Sequence, residues 1–447
     1  MNQTFMKEKP VFPLLLSMGI PMILSMMASS LYNIVDSIFV ARISENAMTA
    51  LSLVFPLQNL ITAIGVGFSI GTNSVIARLL GAGRTKEAGE AATQGLLLSL
   101  LHGILIWLLG WLAVSHFLHM FTDESQTLRF GLQYSMIVFC FSPVVTAGIS
   151  FEKLFQAVGR MVVSMACMLI GCIVNIILDP ILIFGFRMGI SGAALATVFS
   201  QLISFFLLLA GVHFSGCIPI RLKNVRFHRE RLREIAGGGL PSLFRQGLGS
   251  VATMTLNIAA NPYGDAAIAA MSVVSRIFMF AISALIGFGQ GFQPVCGFNY
   301  GAKKYGRVRE AFWFCVKVST IFLFALSILG FLLSGHLIGI FRDDPEVIRI
   351  GTAAVRFQCA TLILNGWIVM NNMMTQTMGK TFYASLLASA RQGLFFIPIL
   401  LILPRILGLI GIQSAQAAAD LFAFLLSVVL YRKVTAELNA EEEKQTE

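Results

Sequence analysis

Apolar runs of 20 residues or more recur along the whole chain, separated by short stretches rich in charged residues, Gly and Pro. A helical run of that length matches the hydrocarbon core of a bilayer. Twelve such spans are predicted, at roughly 12–41, 49–77, 91–118, 130–157, 162–186, 189–215, 235–260, 266–297, 311–340, 348–378, 382–404 and 408–431. The first follows Lys7 and Lys9 and continues to about Val40 without a small-residue cleavage site, so it reads as a membrane helix rather than a removable signal.

Charge gives these spans a direction. With the N-terminus placed in the cytoplasm, 20 of the 32 Lys and Arg residues fall in inside segments and six in outside loops, a bias that puts both termini inside. The expected organisation is an N-lobe over 1–215, a basic cytoplasmic linker over 216–234, a C-lobe over 235–432 and a charged cytoplasmic tail over 433–447. The net charge of +10 is explained by these loops and does not point to nucleic acid. Only 12% of the residues are charged against 56% hydrophobic, too few to cover a soluble fold of this length. The seven Cys lie mostly within apolar runs and form no Cys-x-x-Cys pair, so they read as packing residues.

The chain also repeats itself. Residues 50–91 align without a gap on 270–311, with 11 of 42 positions identical, among them Gly67/Gly287, Gly71/Gly291 and Gly81/Gly301. The same offset of 220 pairs Pro21 with Pro241, Asp123 with Asp343 and Gly159 with Gly379. Six spans in each copy make this a parallel repeat about an axis along the membrane normal, the architecture of two lobes facing each other across a cleft. The fold class expected is therefore an all-α polytopic membrane protein of twelve helices in two six-helix lobes.

Four acidic residues fall within the predicted spans: Asp36, Glu152, Asp179 and Asp420. A carboxylate near mid-membrane costs roughly 2.5–3.5 kcal/mol, so each needs a reason. Tyr32 and Asp36 stand at i, i+4 on the first helix, and Asn175 and Asp179 do the same on the fifth, so each pair shares a face. Both helices run outward, with the acids a few residues before their outer ends. Thr197, a similar distance into the returning sixth helix, lies at the same depth. Two carboxylates, an amide oxygen and a hydroxyl are hard ligands suited to a small cation, and the carboxylates can equally hold a proton. Pro180 cannot donate a backbone hydrogen bond, so a kink beside Asp179 is expected, freeing the carbonyl of Ile176. Asp420 and Arg391, on adjacent antiparallel helices, are expected to form a buried structural pair. Glu152 and Lys153 are read as interfacial, with a role in the cleft as the alternative, and Arg245, Arg276 and Arg356 are without assigned roles, one of them being a second candidate partner for Asp420.

Five stretches carry a resemblance: Leu31-Tyr-Asn-Ile-Val-Asp36, Leu80-Gly-Ala-Gly-Arg84, Asn175-Ile-Ile-Leu-Asp-Pro180, Gly192-Ala-Ala-Leu-Ala-Thr197 and Asn299-Tyr-Gly-Ala-Lys-Lys304. Together they resemble the MATE (multidrug and toxic compound extrusion) family, most of all its bacterial DinF-like branch. The resemblance implies an antiporter of the inner membrane that exports organic cations against Na⁺ or H⁺, with coupling in the N-lobe. Asp36, Asn175, Asp179 and Thr197 match the family's ion-site positions and Tyr32 a neighbouring pocket position. Asn33 and Pro180 are grouped with Tyr32 as near-site residues. At the 220 offset Asp36 maps to Leu256 and Asp179 to Ile399, so the C-lobe has no counterpart of this site. Acids that other branches carry on the seventh, eighth or tenth helix are missing here, Asp265 being expected in a loop. Small organic molecules and lipid are the expected partners of a monomer with no cofactor beyond the coupling ion. The alternative kept open is a flippase for a lipid-linked or polyprenyl precursor. Residues 301–307 have the outer spacing of a phosphate-binding loop but Arg307 stands where Lys is needed, and no catalytic constellation suggests an enzyme.

Overall fold

The computed structural model describes residues 5–120, 122–214, 218 and 229–446, and all regular elements among them are helices. After a short helix at Phe5–Glu8, the first half comprises α1 (Val11–Ala41), α2 (Glu45–Gly81), α3 (Thr85–His119), α4 (Ser125–Cys140 and Ser142–Ala157), α5 (Met161–Pro180, extended by a π turn at Ile181–Gly185) and α6 (Ile190–Phe214). The second comprises α7 (Arg229–Ala260), α8 (Asp265–Gly301), α9 (Tyr305–Leu332 and Ser334–Phe341), α10 (Pro345–Leu362 and Leu364–Thr377), α11 (Thr381–Ser389, a π turn at Ala390–Phe396, then Ile397–Leu407) and α12 (Leu409–Thr446). These twelve coincide with the twelve predicted spans. Among the described residues nine helices are long and apolar enough to cross a bilayer, and two more spans are made by the segments of α4 and α10, bent by 52° and 55°. The twelfth, α7, is 32 residues long, but Arg231, Arg233, Glu234 and Arg245 dilute its apolar character. Large apolar side chains such as Trp111, Leu332 and Ile406 stand exposed on the outside of the bundle, as lipid contact requires.

Three boundaries differ from expectation. The segment expected as linker over 216–234 gives its last six residues to the first turns of α7. The remainder, apart from Ile218, lies outside the described residues. Asp265 opens α8 rather than lying in a loop. The charged tail continues α12 as helix, and its carboxylates hold it down: Glu437 accepts from Lys380 Nζ at 2.6 Å and from the Tyr383 hydroxyl, and Arg309 pairs with Glu442.

The repeat is visible in the hydrogen bonds. The turn after α2 bonds Ala82 N–H to Arg78 O, Gly83 to Leu80 and Arg84 to Leu79; the turn after α8 bonds Ala302 to Phe298, Lys303 to Tyr300 and Lys304 to Asn299, each partner shifted by 220. Gly83 and Lys303 share a positive φ of 75° and 59° at equivalent positions. The turns at Gly159 and Gly379 match in the same way.

The halves meet reciprocally: α2 packs along α7, and α8 along α1. Small residues let the backbones touch. A Cβ at Gly81 would overlap the carbonyl oxygen of Phe298, and one at Gly301 would overlap that of Arg78, its equivalent. These contacts lie at the end of the bundle that carries the basic loops. There one apolar core passes through both halves, whereas a separate cluster around Val40, Val54, Leu118 and Ile190 belongs to the first half near the opposite end.

Candidate functional site

Helices α1, α4, α5 and α6 of the first half surround a polar pocket toward the end of the bundle opposite the basic loops. Asp36 lies five residues before the end of α1, Asp179 next to the last residue of the α-helical part of α5, and Thr197 seven residues into α6. All are buried: Asp179 has no exposure and Asn175 1%. The two carboxylates interact electrostatically with each other, and the Tyr32 hydroxyl feels both. What distinguishes the cluster is what it lacks. Asp36 Oδ1, both oxygens of Asp179, both polar atoms of the Asn175 amide and Thr197 Oγ1 are buried without a hydrogen-bond partner. Unpaired polar atoms in a protein interior carry a full desolvation penalty, so a group of them at one place is arranged for something that supplies the missing contacts. The unpartnered set is oxygen-rich and fits a small hard cation or protons.

Pro180 sits beside these acids. The irregularity expected there takes the form of a π turn on its far side, where Phe186 N–H reaches Ile181 O at 2.8 Å. Asn33 is not part of the cluster. One residue on from Tyr32 it points about 100° further round the helix, where it is exposed and its amide donates to Ser29 O at 2.7 Å. Two residues complete the pocket unforeseen. Tyr134 of α4, 2% exposed, places its hydroxyl beside Asp36, Tyr32 and Thr197, and accepts from Gln58 Nε2 of α2 at 3.3 Å. Nine residues into its helix, Tyr134 stands at the depth of the acids, the one sequence signal that could have singled it out.

The other intramembrane acid is satisfied. Asp420 accepts from Arg391 Nε at 2.9 Å, Gln416 Nε2 at 2.8 Å and Asn365 Nδ2 at 2.9 Å. Arg356 instead donates to Ser334 Oγ at 3.2 Å and lies over the Phe331 ring. Lys153 does not reach toward an interface as expected. It is 5% exposed, and its Nζ donates to Glu152, Gln156 and, across the seam, to Gln290 of α8, each at 3.1 Å, because its face of α4 looks toward α8.

The family model described as MatE matches residues 21–181 and again 241–402, two copies set at the repeat offset. The chain belongs to the MATE family. Multidrug export protein MepA of Staphylococcus saprophyticus is 28% identical over 443 residues, covering 97% of either protein. MepA of Staphylococcus aureus is 27% identical over 431 residues, covering 96% of this chain and 95% of that protein. Among solved structures, a MATE in complex with MaL6 matches with a TM-score of 0.94 at 23% identity, over 98% of this chain and all of that one. The outward-facing conformation of a multidrug resistance MATE family transporter of the MOP superfamily also scores 0.94 at 23% identity, covering 98% and 99%. As a MATE protein the chain is a multi-pass membrane transporter.

Proposed function

We propose that this MATE protein is a secondary antiporter that exports amphipathic organic cations in exchange for Na⁺ or H⁺, with coupling at Asp36, Asn175, Asp179 and Thr197. The observation that carries the proposal is the convergence of these four residues, from three helices, with Asp36 Oδ1, Asn175 Oδ1, both Asp179 oxygens and Thr197 Oγ1 buried and unpartnered. A bound Na⁺ would take oxygens from all four; protons would sit on the two carboxylates. Either neutralises paired negative charge in a low-dielectric pocket, a change large enough to bias the packing of α1 against α5 and α6. The helix ends next to Asp36 and Asp179 are where the first half is free of the second, so such a bias is conveyed to the cleft between the lobes. Export then runs as alternating access, with the protein acting as a transporter and not an enzyme. The reading includes a monomer in the bacterial inner membrane, and the distribution of Lys and Arg supports an orientation with both termini and the basic loops in the cytoplasm.

The test is Asp36→Asn, which keeps size and one oxygen but can neither ionise nor take up a proton. Efflux of a cationic dye from vesicles, with a sodium or a proton gradient imposed separately, should fall to the level of empty vesicles in the variant. The variant should still elute as a folded species in detergent. Efflux at the wild-type rate under both gradients would sink the proposal, and the gradient that drives the wild type identifies the ion.

A further inference from the structure

Arg245 is an intramembrane cation that coupling leaves unused. It lies sixteen residues into the 32-residue helix α7. Its guanidinium makes two long hydrogen bonds, from Nη1 to Asn372 Oδ1 at 3.3 Å and from Nη2 to Ser242 Oγ at 3.4 Å. Among the described residues no Asp or Glu oxygen comes within 4.0 Å of it, whereas Arg391, the comparable cation of α11, closes on Asp420 at 2.9 Å. A guanidinium has five N–H donors and keeps its charge. Holding one inside a membrane protein without a counter-charge is costly, which marks it as a candidate for function.

Its surroundings are built to present it. Asn372 Nδ2 donates to Ala384 O at 2.7 Å, which turns Oδ1 toward Arg245. Gln376 Nε2 donates to Gly238 O at 2.7 Å and to Ser242 Oγ at 2.8 Å, fixing the hydroxyl from the other side. One turn along the same face, a Cβ on Gly249 would meet no atom of another element within 4 Å, which leaves open space one turn from the guanidinium. The repeat adds a contrast: the residue equivalent to Arg245 in the first half is Ser25, and the residue equivalent to Asp36 in the second is Leu256. The buried acids without hydrogen-bond partners lie in the first half, and Arg245, without a carboxylate beside it, lies in the second.

We propose that Arg245, with Asn372 and Ser242, is an anion-binding subsite of the C-lobe that takes a carboxylate carried by the transported compound. Arg245 then sets how strongly zwitterionic amphiphiles bind relative to simple cations. This rests on the reading of the protein as an exporter but not on where its coupling ion binds.

The experiment is equilibrium binding, without any gradient, of two dyes to the purified full chain in neutral detergent, read by fluorescence anisotropy. The dyes are tetramethylrhodamine methyl ester, a cation, and the parent tetramethylrhodamine with a free carboxylate. Arg245→Gln, which can still hydrogen-bond to Asn372 and Ser242, should weaken binding of the carboxylate dye by about tenfold, as loss of a charge-assisted contact does. The ester should change by less than about twofold in the same variant, and Arg245→Lys should restore most of the lost carboxylate affinity, since it keeps the charge. Equal weakening of both dyes, or no weakening of the carboxylate dye, would overturn the subsite. Either result leaves coupled efflux, and with it the exporter reading, to be judged separately.

Discussion

At Asp420 three donors from α10, α11 and α12 meet one carboxylate that is 2% exposed. Removing only one charge of such a pair strands the other, at about 3–5 kcal/mol, while removing both is far milder. Arg391→Met and Asp420→Leu should each lower the thermal midpoint in detergent more than the double variant does; a double variant less stable than both singles would contradict the pairing. This pair, and the grouping of Asp36 with Asp179, were legible in the sequence for one reason. Ionisable residues are rare in membrane spans, and i, i+4 spacing with a common depth restricts where they can point. Asn365, Gln416, Gln58 and Tyr134 were not legible, because neutral polar residues have no such rarity and the helices that bring them in are fixed only by tertiary packing. Lys153 was misread for a related reason: its distance from the helix end allowed a reach to the interface, and only the position of α8 decides that it turns inward.

Among the elements, α7 shows how composition and position trade off. Its polar residues take it below the apolarity of its neighbours, yet its place was legible because the repeat requires a helix equivalent to α1, with Pro241 matching Pro21. The breaks in α4 and α10 were hidden, since a bend of 52° or 55° leaves an apolar run unchanged. The seam between α2 and α8 depends on absent side chains. Gly301→Val should drive α8 from the Arg78 carbonyl. In a background keeping only Cys296, which is fully buried on α8, a maleimide should then label the variant several-fold faster than its parent. Unchanged labelling would mean that the glycine contact does not hold the seam shut.

For the whole molecule, the seam extends from the basic end as far as Ser30, whose hydroxyl donates to Ser283 Oγ at 2.8 Å across the halves. That closeness suits a disulfide. With native cysteines replaced, Ser30→Cys with Ser283→Cys should cross-link on oxidation and stop efflux, and a reductant should restore it. Efflux that persists in fully cross-linked protein would show that this part of the seam never needs to open. The two-lobed plan was plain from a repeat offset held over most of each half. The closed seam at one end was not, because which helix faces meet across it is decided by how the two halves dock.

The reciprocal glycine contacts, residue 81 against 298 and 301 against 78, are those of a self-complementary dimer, in which each partner offers the other the same patch. A six-helix polypeptide resembling either half would close this seam against a copy of itself. Such a homodimer would be obliged to carry any charged site twice. Joining the copies in one polypeptide lifts that obligation, so that Asp36 and Asp179 could be kept on one side and Arg245 on the other while the shared joint stayed as it was.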